Sequence, residues 1–335
     1  MEHLTTILDY DHSFGNIKPW QDVLKQIRQG KKKTIAFLGA SVSTGDLVGI
    51  ENSYVTYLKH HWNEEMACEY APYIYNGSHA GTLSTNGLFF VEDILSHKPD
   101  LVFLDYSVND SGLEVFNESF EGLLRKFLRL NIPVATIMFT NNRGDTKYTM
   151  KNMSQYYHLP VLEIGNAILQ NVDKDLCTWE DLFLDYVHPN PLGHEYIAKN
   201  MFDFFHYLEK APEEKMMPVP SEPMYYGLFD DYEVLTLPLF QEEFEISTTY
   251  SVGMVEYKEM PDSSLTAECD IYLDHKYFDT LRHYNPLSWE NRVAKILSID
   301  GEETPHTITI KKKSHAPLDE EWDDYQIKLL FSHDF

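Results

Sequence analysis

Three residues far apart in the chain, Ser41, Asp185 and His188, have the types and surroundings for nucleophilic chemistry. Ser41 follows the run Ile35-Ala36-Phe37-Leu38-Gly39-Ala40. Consecutive apolar residues describe a short strand buried inside a parallel sheet, and Gly39 permits a tight turn, so the hydroxyl is presented at the strand's carboxyl end. Ligands of open α/β sheets bind at that edge. Asp185 precedes His188 by three residues, and Asn190 with Pro191 marks the start of a helix, which leaves His188 in the loop just before it. On a tight loop the carboxylate can accept a hydrogen bond from the imidazole Nδ1–H, which fixes the tautomer and leaves Nε2 free as a base. A serine hydroxyl is a poor nucleophile at its own pKa and needs such a base. Taken singly, each stretch also fits an ordinary turn serine or a loop histidine bonded to backbone.

The intervening elements must bring these groups together. Pro19 opens a helix with Trp20, Val23, Leu24 and Ile27 at helical spacing, and a second helix is expected over Val48–Trp62. Strands are expected at Ala71–Tyr75, Leu101–Leu104, Pro133–Phe139 and Val161–Ile164, with helices through Leu88, Val91 and Ile94, over Phe116–Leu130 and over Leu192–Leu208. Strands that alternate with helices and lack in/out alternation describe a parallel sheet covered on both faces. The loops Asn76–Ser84 and Ser107–Asp110 follow successive strands, so they and the Ser41 turn can converge at one edge.

With those blocks in view, the chain resembles an SGNH (GDSL-type) hydrolase over about residues 18–208. Gly39-Ala40-Ser41 resembles the family's nucleophile block, Asn76–Ser84 with Gly81 its glycine block, Ser107-Val108-Asn109-Asp110 its asparagine block, and Asp185–His188 its closing block. Two positions depart from the family pattern: Ala40 stands where an aspartate is usual, and Ser107 where a glycine is usual. The resemblance implies a flavodoxin-like three-layer α/β/α fold with a Ser41-His188-Asp185 triad. It also implies an oxyanion hole made by the backbone N–H groups of Ser41 and Gly81 and the side-chain amide of Asn109. It implies no cofactor and no metal. His194 lies six residues after His188, without a third ligand at a sensible spacing. Asp110 reads as a turn or helix-cap residue, and His79 as a candidate substrate contact in the glycine loop.

Composition bounds the partners. Acidic residues outnumber basic ones 53 to 27 in 335 residues, a formal net charge of −26. Such a surface repels polyanions, which argues against nucleic acid and anionic membrane and favours neutral or cationic small molecules. Cys68, Cys177 and Cys269 fit neither a disulfide framework nor a zinc knuckle, and the simplest expectation is reduced thiols in a cytoplasm. The first residues lack a basic segment followed by an apolar one, and no window is long and apolar enough to span a bilayer.

The expected organisation is a catalytic domain over 1–208, a Pro- and charge-rich linker over 209–223, and an antiparallel β-sandwich over 224–335. Its strands include Phe244-Glu245-Ile246-Ser247, Leu265–Tyr272 and Thr307–Ile310, with Asp300-Gly301 as a turn. Arg282–Trp289 is expected to be a loop that offers Tyr284 and Trp289 to a sugar ring, since aromatic faces stack on the ring's C–H face. A hydrolase of this family with an appended sandwich resembles carbohydrate esterases that release acetate from acetylated oligo- or polysaccharides, of mannan or xylan type. A short-chain esterase, lipase or thioesterase, a sugar O-acetyltransferase and a carbohydrate-binding protein with a silent catalytic domain are the alternatives. Whether copies associate into a homo-oligomer is not written in the sequence.

Overall fold

The apolar run ahead of Ser41 forms β1 (Thr34–Gly39), buried from Ile35 onwards. Two parallel strands flank it, β2 (Tyr73–Asn76) and β3 (Leu101–Asp105). With β4 (Val134–Ile137) and β5 (Val161–Leu162) they make a five-stranded parallel sheet of order 2-1-3-4-5. The structure is a computed structural model that describes residues 3–9, 14–110, 114–144, 148–213, 215–237, 243–259, 268–286, 292–313 and 326–333.

The helices are α1 (Lys18–Arg28), α2 (Ser41–Thr44), α3 (Tyr54–Glu65), α4 (Ser84–Ser96), α5 (Glu114–Arg129), α6 (Tyr148–Tyr156), α7 (Ile164–Asp173), α8 (Trp179–Leu182) and α9 (Pro191–Lys210). Side chains alternate across the sheet. Ile35 and Phe37 of β1 and Leu101 and Phe103 of β3 therefore share one face, and they join one core cluster with Trp20 of α1, Trp62 of α3, Ile168 of α7 and Phe204 and Phe205 of α9. Phe37 stacks on Phe103 at 5.0 Å, and Trp20 lies 5.0 Å from Phe103. Ala36, Leu38, Val102 and Leu104 point to the other face, where α4 packs on β1 and α5 on β4. Burial of one such ring or aliphatic chain contributes roughly 1.5–3 kcal/mol.

Several elements differ from expectation for local reasons. The chain stays irregular through Gly49 and a short 3₁₀ turn before α3, because Ser53 caps that helix by accepting the Thr56 N–H at 3.2 Å. Helices α6 and α7 were not anticipated; α6 buries only Met150, Met153 and Ser154, and the Ser154 hydroxyl bonds Thr136 of β4 at 2.7 Å.

Residues 209–223 lie along the first unit. Asn16 and Met217 exchange two side-chain-to-backbone hydrogen bonds at 2.8 and 2.7 Å, Arg125 donates to the Ser221 carbonyl at 3.0 Å, and Tyr156 to that of Glu222 at 3.3 Å. The fully buried carboxylate of Glu121 accepts from the Tyr157 hydroxyl and from the Met224 backbone N–H. Accordingly the chain divides into two units, one up to Met224 and one from Tyr225 onwards.

The second unit is a six-stranded antiparallel sheet. Its strands are β6 (Tyr232–Leu237), β7 (Glu243–Lys258), β8 (Glu268–Leu273), β9 (Lys276–Arg282), β10 (Arg292–Lys312) and β11 (Ile327–Ser332), in the order 6-11-7-10-8-9. Strands from both ends of that order, Leu237 of β6 and Leu281 of β9 among them, share one apolar core. The sheet must therefore fold over into two layers, with the long strands β7 and β10 running through both. Asp300-Gly301 is not the hairpin turn expected from its sequence. It lies in a bulge inside β10, where residues 300–303 stand opposite Ser251 alone.

One ionic cluster ties that bulge down. His306 Nε2 lies 2.9 Å from Asp300 and Nδ1 2.8 Å from Asp274, which also accepts the Thr307 N–H at 2.9 Å. Burial pulls the imidazole pKa down, but the two carboxylates more than offset it and hold the pKa above its ordinary value. The folded value then exceeds the unfolded one, so the cluster's stabilisation is complete below about pH 6.5 and is lost as pH rises through the raised folded pKa. Calorimetry is expected to show the second unit melting lower at pH 9 than at pH 6, with His306→Gln reducing that difference. Among the described residues no helix is long and apolar enough to cross a membrane.

Candidate active site

The turn after β1 is built from behind. A Cβ on Gly39 would fall 2.7 Å from the Asp105 carbonyl oxygen, so only glycine lets the ends of β1 and β3 approach this closely. Asp105 then places a buried carboxylate under the turn. Its Oδ2 accepts the Ser43 hydroxyl at 2.7 Å, the Ala40 N–H bonds the same carboxylate, and Tyr54 meets the Ser43 hydroxyl at 2.6 Å. Burial pushes the Asp105 carboxyl up to about 7. Ser41, the first residue of α2, is buried at 5% exposure on this support.

His188 comes from the loop between α8 and α9. Phe183 and Pro189 pair as a β-bridge, and Leu184 N–H donates to the His188 carbonyl at 2.9 Å. Trp179 stacks on Phe183 at 3.8 Å and donates from Nε1 to the Asp185 carbonyl at 2.7 Å. As its sequence suggests, Asn190 caps α9 by accepting the Gly193 N–H at 2.9 Å.

These elements bring the three residues into line. His188 Nε2 is 3.1 Å from Ser41 Oγ, and Nδ1 is 2.7 Å from Asp185 Oδ2. The other carboxylate oxygen accepts the backbone N–H of Val187 at 2.8 Å and of His188 at 2.7 Å. Burial pushes the Asp185 carboxyl up, yet these donors outweigh it and hold the group below the usual carboxylate range. An ionised Asp185 accepts from Nδ1–H, which leaves Nε2 to take the serine proton.

The glycine and asparagine loops meet at the same edge. The His79 N–H donates to the Gly39 carbonyl at 3.0 Å, which ties the glycine loop to the end of β1. Gly81 turns at φ +68°, a left-handed conformation that glycine adopts without strain. One amide hydrogen of Asn109 goes to the Thr82 carbonyl at 2.8 Å, so the two loops are joined beside Ser41. Ser107, at the usual glycine position, uses its hydroxyl to accept the Phe139 N–H at 2.7 Å and so fastens this loop to the end of β4. Asp110 accepts the Ser84 N–H at the start of α4 at 2.9 Å, a helix-cap contact.

The His79 ring packs on Phe90 of α4, with centroids 4.2 Å apart. His194 accepts the Tyr54 N–H on Nδ1 at 3.2 Å and stacks on that ring, and burial pushes its pKa down to about 4. Among the described residues no group of three or more histidines, cysteines and acids is placed to hold a metal ion. Tyr284 follows β9 in the second unit and is half-buried, whereas Trp289 lies outside the described residues.

Two residues absent from the sequence reading stand at the site: Asp105, beneath the turn, and Asp46, whose Oδ2 is 3.8 Å from His188 Nε2. Nothing in the residue pattern points to Asp46, whereas an acid that closes an apolar strand is a signal for Asp105.

No protein-family model matches the chain, and no curated protein matches it. Its fold is that of a two-domain esterase described as active on acetylated mannans, with a TM-score of 0.77 at 19% identity over 96% of this chain and 97% of that one. A crystal of such an esterase grown with mannopentaose gives the same TM-score and identity, with 96% of each chain covered. The architecture implied by the resemblance, an α/β unit on a parallel sheet with an appended antiparallel β-sandwich, is the one found.

Proposed function

We propose that the chain is a serine esterase that removes O-acetyl groups from acetylated oligo- or polysaccharides of mannan or xylan type. The observation that carries this reading is the line Asp185–His188–Ser41, with contacts of 2.7 and 3.1 Å. The sugar assignment is supported by likeness along the whole chain to an esterase active on acetylated mannans.

In this reading Ser41 Oγ attacks the acetyl carbonyl as His188 Nε2 takes its proton, and ionised Asp185 stabilises the imidazolium. The carbonyl oxygen gains charge that is met by the backbone N–H groups of Ser41 and Gly81 and by Asn109, whose amide is already oriented by Thr82. His188 then passes the proton to the sugar oxygen, which leaves, and Ser41 holds the acetyl group. Water attacks that ester with His188 again as base, releasing acetate and restoring the hydroxyl.

Asn109→Ala removes one donor to the developing oxyanion, an expected loss of about 3 kcal/mol, or roughly a hundredfold in kcat. Steady-state turnover of phenyl acetate measures it, and a kcat within threefold of wild type would remove Asn109 from the reaction.

The function itself is tested by acetate yield from acetylated manno- and xylo-oligosaccharides against esters of long-chain acids. Faster acetate release from the sugars is expected. A preference for the long-chain esters would make the chain a general esterase or lipase, and transfer of acetyl to a second sugar without free acetate would make it an acetyltransferase.

A further inference from the structure

The segment just past the nucleophile turn holds a carboxylate in the reacting zone. Asp46 N–H donates to the Ser41 carbonyl at 3.0 Å, which fixes the residue directly beneath the serine. Its Oδ1 accepts the Leu47 N–H at 3.1 Å, and Leu47 stands at φ +68°. A leucine in the left-handed region is strained, and such strain persists only where the surroundings over-determine it. The result is that Asp46 Oδ2 lies 3.8 Å from Nε2 of His188, the nitrogen that also faces Ser41. His188 has a second carboxylate, Asp185, on its opposite nitrogen at 2.7 Å, and the buried neutral imidazole of His194 is the other titratable group bearing on it.

Asp185 and Asp46 therefore differ in position. Asp185 grips the nitrogen turned away from the substrate, while Asp46 stands by the nitrogen that must protonate the leaving oxygen, and its side chain is 40% exposed. We propose that Asp46 is a specificity-determining residue that selects by charge on the leaving group: it disfavours esters with an anionic alcohol portion and favours neutral and cationic ones. This rests on the esterase reading above and deepens it, since acetylated neutral sugars, or sugars carrying an amine, pass such a filter and uronic acid esters close to the carboxylate do not.

The magnitude follows from Coulomb's law. Unit charges about 7 Å apart in a mostly aqueous surrounding interact by about 0.6 kcal/mol, which is about two- to threefold in rate. The whole molecule's net charge of −26 acts in the same direction but over a longer range. That background is common to wild type and variant and cancels when their ratios are compared, and at about 0.01 M salt the screening length is about 30 Å, so the local interaction is read almost unscreened.

The experiment compares Asp46→Asn with wild type on three aryl acetates that share the acetyl group: phenyl acetate, 4-acetoxybenzoate and 4-acetoxyphenyltrimethylammonium. With kcat/KM measured at about 0.01 M salt, the variant is expected to raise the anionic-to-neutral ratio and lower the cationic-to-neutral ratio, each about two- to threefold. Asp46→Glu should restore the wild-type ordering. Ratios unchanged in Asp46→Asn overturn the inference while leaving the esterase reading intact. No turnover of any of the three by the wild type overturns the esterase reading, and the inference with it.

Discussion

Ser41→Ala is expected to abolish ester hydrolysis, by at least about a thousandfold and up to about a millionfold in kcat, with the fold unchanged. Covalent catalysis has no substitute for the oxygen that becomes acylated, so only the transition-state donors and binding remain to accelerate the reaction. The structural cost is small. Ser41 Oγ contacts His188 Nε2 at 3.1 Å, whereas the turn is held by Asp105, Ser43 and the Ala40 N–H, which the substitution leaves in place. Phenyl acetate turnover and the thermal melting curve of the purified variant check the two halves of this expectation. Undiminished turnover with a normal melt would mean that another residue holds the acyl group.

The second large effect is expected at Asp185→Asn, about ten-thousandfold in kcat with little change in KM. The carboxylate has two jobs, one per oxygen: Oδ1 accepts hydrogen bonds from two backbone N–H groups that shape the loop, and Oδ2 accepts one from Nδ1–H. An asparagine can keep its carbonyl oxygen on the backbone donors only by turning its NH₂ towards Nδ1. The ring must then accept there and carry its proton on Nε2, facing Ser41, where it has no basicity to offer. In the wild type the opposing pull of burial and donors leaves the Asp185 pKa below its ordinary value of 3.8, so the group stays ionised at any pH above about 4. A kcat within threefold of wild type in Asp185→Asn would leave the carboxylate with only its loop-shaping job.

How much of this was legible in the sequence depends on the range of the interaction. Asp185 and His188 share a tight loop, so their spacing alone predicted the contact found. The continuous apolar runs of β1 and β3 announced a doubly covered parallel sheet. Contacts that exist only once β1 lies beside β3 are harder to read: an acid closing an apolar strand marks Asp105, but its place under the Ser41 turn depends on Gly39 admitting the neighbouring strand. The same holds for Ser107, whose departure from glycine makes sense only against Phe139, just beyond β4. Asp300-Gly301 has turn chemistry but sits in a bulge, because β10 continues through it and His306 gathers the surplus residues. Helix α6 is hard to read because it buries only Met150, Met153 and Ser154, and α7 because its apolar start at Ile164 runs on from the strand Val161–Leu162.

The proline-rich stretch beyond α9 looked like a tether and is instead stitched to Asn16, Glu121, Arg125 and Tyr156. That fixes where the protein can be cut by genetic dissection. A fragment ending at residue 208 would strip the Met224 N–H from a fully buried acid and take away two of Asn16's bonds, inviting misfolding unrelated to any role of the second unit. A fragment ending at 224 preserves every one of those stitches, and is the one whose behaviour would report on the β-sandwich alone.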